Sequence, residues 1–111
     1  MHETLLFRNS PNVLFLSLQL PKNSRLDIDH SLEELQELTY SLGAVVCEAL
    51  IQQRDQPHPA FFFGKGKLGQ IKDLIHKHSI SLLITDGQLS PKQAQNLAYN
   101  HAAYLLNKYL K

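Results

Sequence analysis

Apolar positions along this chain fall into two kinds of pattern, which alternate. Val13-Leu-Phe-Leu-Ser-Leu-Gln-Leu20 is a nearly continuous apolar run closed by Pro21, the signature of a strand buried on both faces. Pro21 to Asp29 is a polar loop holding Lys22 and Arg25. Ser31-Leu-Glu-Glu34 then reads as a capping box, and Leu32, Leu35, Leu38 and Leu42 follow at helical spacing until Gly43 stops the helix. Ala44 to Ile51 is short, apolar and partly β-branched, which predicts a second strand, with Glu48 at a polar end or on a less buried face.

The second half repeats the alternation. Gln52 to Gly66 is a long connection in which Phe61 to Phe63 could add a short strand. Lys67 to His78 is predicted helical, with Leu68, Ile71, Leu74, Ile75 and His78 on one side. Ile80 to Thr85 is a third strand and Asp86-Gly87 a turn. Ser90-Pro91-Lys92-Gln93 is a second capping box, opening a helix whose apolar side is Ala94, Leu97 and Ala98. Ala102 to Asn107 reads as a fourth strand in preference to more helix.

Strict alternation of strand and helix predicts an α/β fold: a single three-layer domain, with a mostly parallel four-stranded sheet and helices on both faces. Right-handed crossovers follow from chain chirality. Residues 1–12 are a mixed lead-in, in which Leu5, Leu6 and Phe7 pack on the domain or form a short extra strand; residues 13–111 are the domain. In such sheets the binding crevice lies at the C-terminal strand ends. The loops there are Pro21–His30, Gln52–Gly66 and Asp86–Leu89.

Composition narrows the function classes. The formal net charge is +1, so nucleic-acid or membrane binding would have to come from a local patch, and DNA is not expected. A single cysteine, Cys47, allows no intrachain disulfide and suits a cytoplasmic setting; on an apolar strand it reads as a small core residue. No apolar run approaches the ~18 residues of a membrane span. The six histidines offer no metal-ligand spacing, and His76 and His78 stand two apart, on different helix faces. No catalytic constellation can be assembled.

The densest local signal is Pro57-His-Pro-Ala-Phe-Phe-Phe-Gly-Lys-Gly-Lys67. Gly64-Lys65-Gly66-Lys67 at a helix start suits an anion, either an RNA phosphate or a nucleotide. It equally suits a tight turn that needs positive φ at glycine, with solvated lysines. It is no Walker A loop, because the spacing is too short and no Ser or Thr follows the lysine. Arg54 joins this set as a phosphate contact or as solvated charge. The three phenylalanines either stack on bases or, for the most part, fill the core.

Two motifs in register resemble those of the N-terminal domain of the HflX-type GTPases, which bind ribosomes. The first runs from the leucine-rich helix ending at Gly43 through Gln53-Arg54 and Pro57-His58-Pro59-Ala60 to Phe62-Phe63-Gly64-Lys65-Gly66-Lys67. The second is Leu89-Ser90-Pro91-Lys92-Gln93-Ala94-Gln95-Asn96-Leu97. The likeness covers roughly Val13 to Leu97. It departs from the family where Gly87 and Gln88 follow Asp86 in place of acidic residues, and where Asn107-Lys108 replaces Asp-Arg.

The resemblance implies a non-catalytic accessory domain that contacts the large ribosomal subunit or its RNA, and the helical and G domains of the same or a partner protein. Gly-x-x-x-x-Gly-Lys-Ser/Thr, Asp-x-x-Gly and Asn-Lys-x-Asp are all missing, so GTP and magnesium are expected only in a downstream G domain and no cofactor is expected here. The chain reads as a fragment of a longer protein or a free-standing relative. Arg54, Gly64, Lys65, Gly66 and Lys67 are the phosphate or RNA candidates. Ser90, Lys92, Gln93 and Asn96 are candidates for partner contact, although capping alone accounts for the Ser90 motif. The rival reading is a small ATP- or GTP-binding domain that uses the crevice at the strand ends. A third is a purely structural interaction domain.

Overall fold

The protein, described from a computed structural model over residues 11–41, 43–101 and 104–107, is an α/β domain built on parallel strands. Its elements are β1 (Asn12–Gln19), α1 (Arg25–Ser41), β2 (Val45–Gln53), α2 (Lys65–His78), β3 (Ile80–Thr85), α3 (Pro91–His101) and β4 (Tyr104–Asn107). β1 lies between β2 and β3, parallel to both, and β4 pairs parallel to β3 at the edge, giving the order β2-β1-β3-β4. No helix among the described residues is long and apolar enough to cross a membrane. The expectations for Leu5 to Phe7, Leu42 and the start of the last strand at Ala102 lie outside the described residues.

β1 is the centre of the core, as its apolar run requires: Val13 through Leu18 are all buried. Alternate residues of a strand face opposite sides. Leu14, Leu16 and Leu18 join a cluster with Ile71 of α2 and Leu97 of α3. Val13 joins another with Leu82, Ile84 and Ala44, against which Leu35 of α1 packs.

Helix α1 starts earlier than the capping box at Ser31 suggests. Ser24 is the cap: its Oγ accepts the Asp27 N–H at 3.1 Å, and Asp27 Oδ2 accepts the Ser24 N–H at 3.2 Å. Ser31 is simply a residue of the second turn. The buried line of α1 is correspondingly Ile28, Leu32, Leu35 and Thr39, with Ile28 and Thr39 fully buried; Leu38 is 59% exposed and lies off it. Thr39 is tolerated inside because its hydroxyl donates to the Leu35 carbonyl at 2.8 Å.

The helix ends as its glycine predicts. Gly43 has φ 84°, the Ala44 N–H reaches the Thr39 carbonyl at 2.8 Å, and the Gly43 N–H reaches Tyr40 at 3.2 Å, the paired bonds of a Schellman motif.

Candidate functional site

The segment from Arg54 to Gly64 folds into a compact turn with no strand of its own. His58 and Phe62 form one antiparallel bridge, exchanging N–H to carbonyl bonds of 3.0 and 2.9 Å. His58 Nδ1 accepts the backbone N–H groups of Ala60 and Phe61 at 3.1 and 3.2 Å and orders the intervening Pro59-Ala60-Phe61 turn. The Phe63 N–H then closes on the Phe61 carbonyl at 2.7 Å, placing Phe62 at the centre of a γ-turn with φ 69°.

A positive φ on a bulky residue is strained. Here the ring is what holds it: Phe62 and Phe63 are both buried and meet edge to face at 5.3 Å. The Phe62 ring also lies over Gly87, where an added Cβ would stand 2.5 Å from Cζ. Gly87 is therefore required by close approach. Two of the three phenylalanines are core, and Phe61 is half-buried beside the His58 ring.

The glycine–lysine stretch also differs from the turn expected of it. Helix α2 begins at Lys65, two residues before the predicted start, and takes in both Lys65 and Gly66. Gly64 is the N-cap in extended geometry, φ −66° and ψ 151°, and among the described glycines only Gly43 has positive φ. What lies over Gly64 is side chain: an added Cβ would displace the tip of the Arg54 guanidinium and press on the Gln52 amide. Gln52 Oε1 accepts the Gly64 N–H at 2.9 Å, and Arg54 Nε donates to the Gln56 carbonyl at 3.0 Å. Arg54 therefore lies folded against the start of α2. Lys65 is exposed, whereas Lys67 is half-buried and donates to Gln70 Oε1 at 2.8 Å. Gly64 supplies no side-chain cap, and within the first turn the Lys67 N–H bonds back to the Gly64 carbonyl at 2.9 Å.

The second motif reaches the first through its amides. Ser90 and Gln93 form the predicted capping box, with bonds of 2.8 and 3.1 Å. Gln93 Nε2 then donates to the His58 carbonyl at 2.9 Å, and Asn96 Nδ2 to the Ala60 carbonyl at 3.0 Å. Of the partner-contact candidates, Gln93 and Asn96 thus brace the Pro57–Phe63 turn, Ser90 caps α3, and Lys92 is exposed.

A separate crevice of about 410 Å³ opens between the C-terminal ends of β1 and β3, lined by Leu20, Lys22, Asp27, Phe62, Asp86 and Gln88 among others. On its floor Ser17 Oγ donates to Asp86 Oδ1 at 3.0 Å. With β1 between β2 and β3, this is the place where successive crossovers leave in opposite directions. Arg54 and Lys67 do not line it; they border shallower grooves at the ends of β1 and β2. The described residues hold no His, Cys, Asp or Glu group suited to a metal ion.

Sequence reasoning missed three of these features. The Ser24-x-x-Asp27 box was visible in the sequence, but with Asp in place of the usual Glu or Gln. The acceptor role of His58 and the fit of Gly87 under Phe62 have no local signal.

Residues 29–108 match the profile of a family described as GTP-binding GTPase N-terminal, a segment that contains both the braced turn and the helix bracing it. The chain belongs to this family. It is similar to proteins named GTPase HflX: 42% identical over 71 residues in Lacrimispora saccharolytica, 27% over 90 in Flavobacterium psychrophilum and 35% over 72 in Escherichia coli. These alignments take in 64%, 81% and 62% of the chain but only 17%, 22% and 17% of the respective relatives, so the chain spans about a fifth of their length. It is an HflX N-terminal domain.

Proposed function

We propose that this domain is a non-catalytic accessory module of an HflX-type GTPase, acting in the cytoplasm. It contacts RNA of the large ribosomal subunit and packs with the helical and G domains of its own GTPase. It needs no cofactor; GTP and magnesium belong to the G domain. The observation that carries the reading is the gathering of cations at the start of α2. Arg54 is held beside Gly64, Lys65 is exposed, and the preceding turn is braced by Gln93 and Asn96. This reading takes the domain as a four-stranded sheet with helices on both faces, which the two core clusters on alternate β1 residues support.

The test is co-sedimentation of the chain with purified large ribosomal subunits across a salt series. Wild type pellets and is released as salt rises, and a Lys65→Ala/Lys67→Ala variant is released at lower salt. Identical release curves would remove the lysines from the interface, and no pelleting at low salt would dismiss the reading.

One observation favours a second reading. The crevice between the β1 and β3 ends has the size and position of a small-ligand site. Calorimetry with ATP and with GTP tests it, and absence of both heat and thermal shift would dismiss a nucleotide there.

A further inference from the structure

Charge is divided unevenly between the helices. α1 carries Asp27, Asp29, Glu33, Glu34 and Glu37 against Arg25, which is paired with Asp29 at 3.1 Å. α2 carries Lys65, Lys67, Lys72 and Lys77 against Asp73, and α3 adds Lys92. The side chains that anchor these helices join different core clusters: Leu35 of α1 packs with Val13, whereas Ile71 of α2 and Leu97 of α3 pack with Leu14 and Leu16. Neighbouring residues of β1 point to opposite sides of the sheet. A chain whose formal net charge is only +1 is therefore a dipole, negative on the α1 side and positive on the other.

The positive side has charge to spare. Lys65, Lys72, Lys77 and Lys92 are exposed, and none makes an ion pair within the described residues. Lys65, Gly69, Lys72 and His76 recur at helical spacing along the solvent side of α2, away from Ile71.

The two glycines on this side give a second, steric observation. Neither has positive φ, and an added Cβ would meet nothing within 4 Å at Gly66 or at Gly69. A glycine inside a helix costs up to about 1 kcal/mol relative to alanine, and among the described residues no contact requires it. Bare backbone flanked by uncommitted lysines suits a polyanion that approaches the helix closely. The wide, shallow minor groove of an RNA helix, edged by phosphates and 2′-hydroxyls, offers that shape and charge.

We propose that the solvent face of α2, continued by Lys92 at the start of α3, docks on an RNA backbone, with the acidic face of α1 turned away. This rests on the RNA reading above and extends the contact from the Gly64–Lys67 stretch along the whole helix. Residues Lys72, Lys77, Gly69 and Lys92 join the interface, and Glu33 and Glu37 are excluded from it.

The test measures binding of purified large-subunit ribosomal RNA against salt for four forms of the chain. In a Lys72→Gln/Lys77→Gln/Lys92→Gln variant, the slope of log affinity against log salt falls by roughly 0.7–0.9 per lysine, about 2 to 3 in all. A Glu33→Gln/Glu37→Gln variant keeps the wild-type slope. Gly69→Gln binds several-fold more weakly while unfolding at higher denaturant, which separates steric exclusion from misfolding. Wild-type binding with an unchanged slope in the triple-lysine variant would overturn this proposal and leave the RNA reading standing. Wild type that binds neither RNA nor ribosomal subunits would overturn both. Binding to whole subunits but not to their naked RNA would assign the face to an acidic protein surface instead.

Discussion

The side-chain amide of Gln93 donates to the main-chain carbonyl of His58 across 2.9 Å, joining positions 35 residues apart in the chain. Asn96 repeats the device one turn later, on the Ala60 carbonyl. The two motifs that mark this chain as an HflX N-terminal domain are therefore one structure: the Ser90–Asn96 helix start is the brace of the Pro57–Phe63 turn. Gln93 has a double task, because its oxygen closes the capping box with Ser90 while its nitrogen reaches the turn.

Removing these braces should loosen the turn without unfolding the sheet. Gln93→Ala and Asn96→Ala are each expected to cost about 0.5–1.5 kcal/mol, with Gln93 at the upper end because its cap is lost too. Since both amides hold one turn, the double variant should depart from additivity by at least about 0.5 kcal/mol. Urea unfolding of the two single variants and the double variant checks this, and simple additivity would mean that the two bonds act independently.

Gly87 is expected to tolerate no side chain while Phe62 keeps its ring. Gly87→Ala forces the Cβ against an aromatic ring that the γ-turn and Phe63 hold in place, at a cost of about 1–3 kcal/mol. In a Phe62→Leu background the same change should cost distinctly less. Equal penalties in both backgrounds, read from denaturant midpoints, would show that the ring is not the obstacle.

Ser79 ends α2 with φ 51°, and its N–H bonds back to the His76 carbonyl at 3.4 Å. A left-handed conformation is strained for serine and free for glycine. Ser79→Gly should therefore stabilise the domain by about 0.5–1 kcal/mol, net of the extra freedom glycine has when unfolded. A lowered unfolding temperature would contradict the assigned cap.

Among the glycines of the basic stretch, position should decide the sign. Gly69→Ala is expected to raise stability by up to about 1 kcal/mol, since space is open around it and φ is helical in sign. Gly64→Ala should not stabilise: it pushes the Arg54 guanidinium and the Gln52 amide off the helix start. The same thermal-unfolding series distinguishes them, and similar gains at both positions would mean that the Arg54 contact is not maintained in solution.

Much of the fold was legible because it is local in origin. The apolar run of β1, the span Ile80–Thr85, the glycine stop at Gly43 and the capping box at Ser90 each express a preference carried by a few adjacent residues. The true start of α1 was legible too, but it was hidden by a second, equally well-formed box at Ser31. That box lost because starting at Ser24 places Ile28 on the same buried line as Leu35 and Thr39, and buries it. A cap within a few residues of another is chosen by the core, not by its own hydrogen bonds.

The sequence by itself determined the element order and the parallel α/β class, which rest on periodicity and short-range spacing, and it carried the pair of motifs through which the chain resembles its family. Only the tertiary structure decided what the motif residues do. Gly64 and Gly87 are small because Arg54 and Phe62 arrive from elsewhere in the chain, not because the backbone turns there. Gln93 and Asn96 face inward to the turn because α3 packs beside α2. The lysines of α2 outnumber its one acid, Asp73, on a side of the sheet apart from the acidic helix, because that helix packs against the other core cluster. Contacts between distant segments depend on how the elements stack, and that depends on the burial of the whole core at once, which no local window of sequence contains.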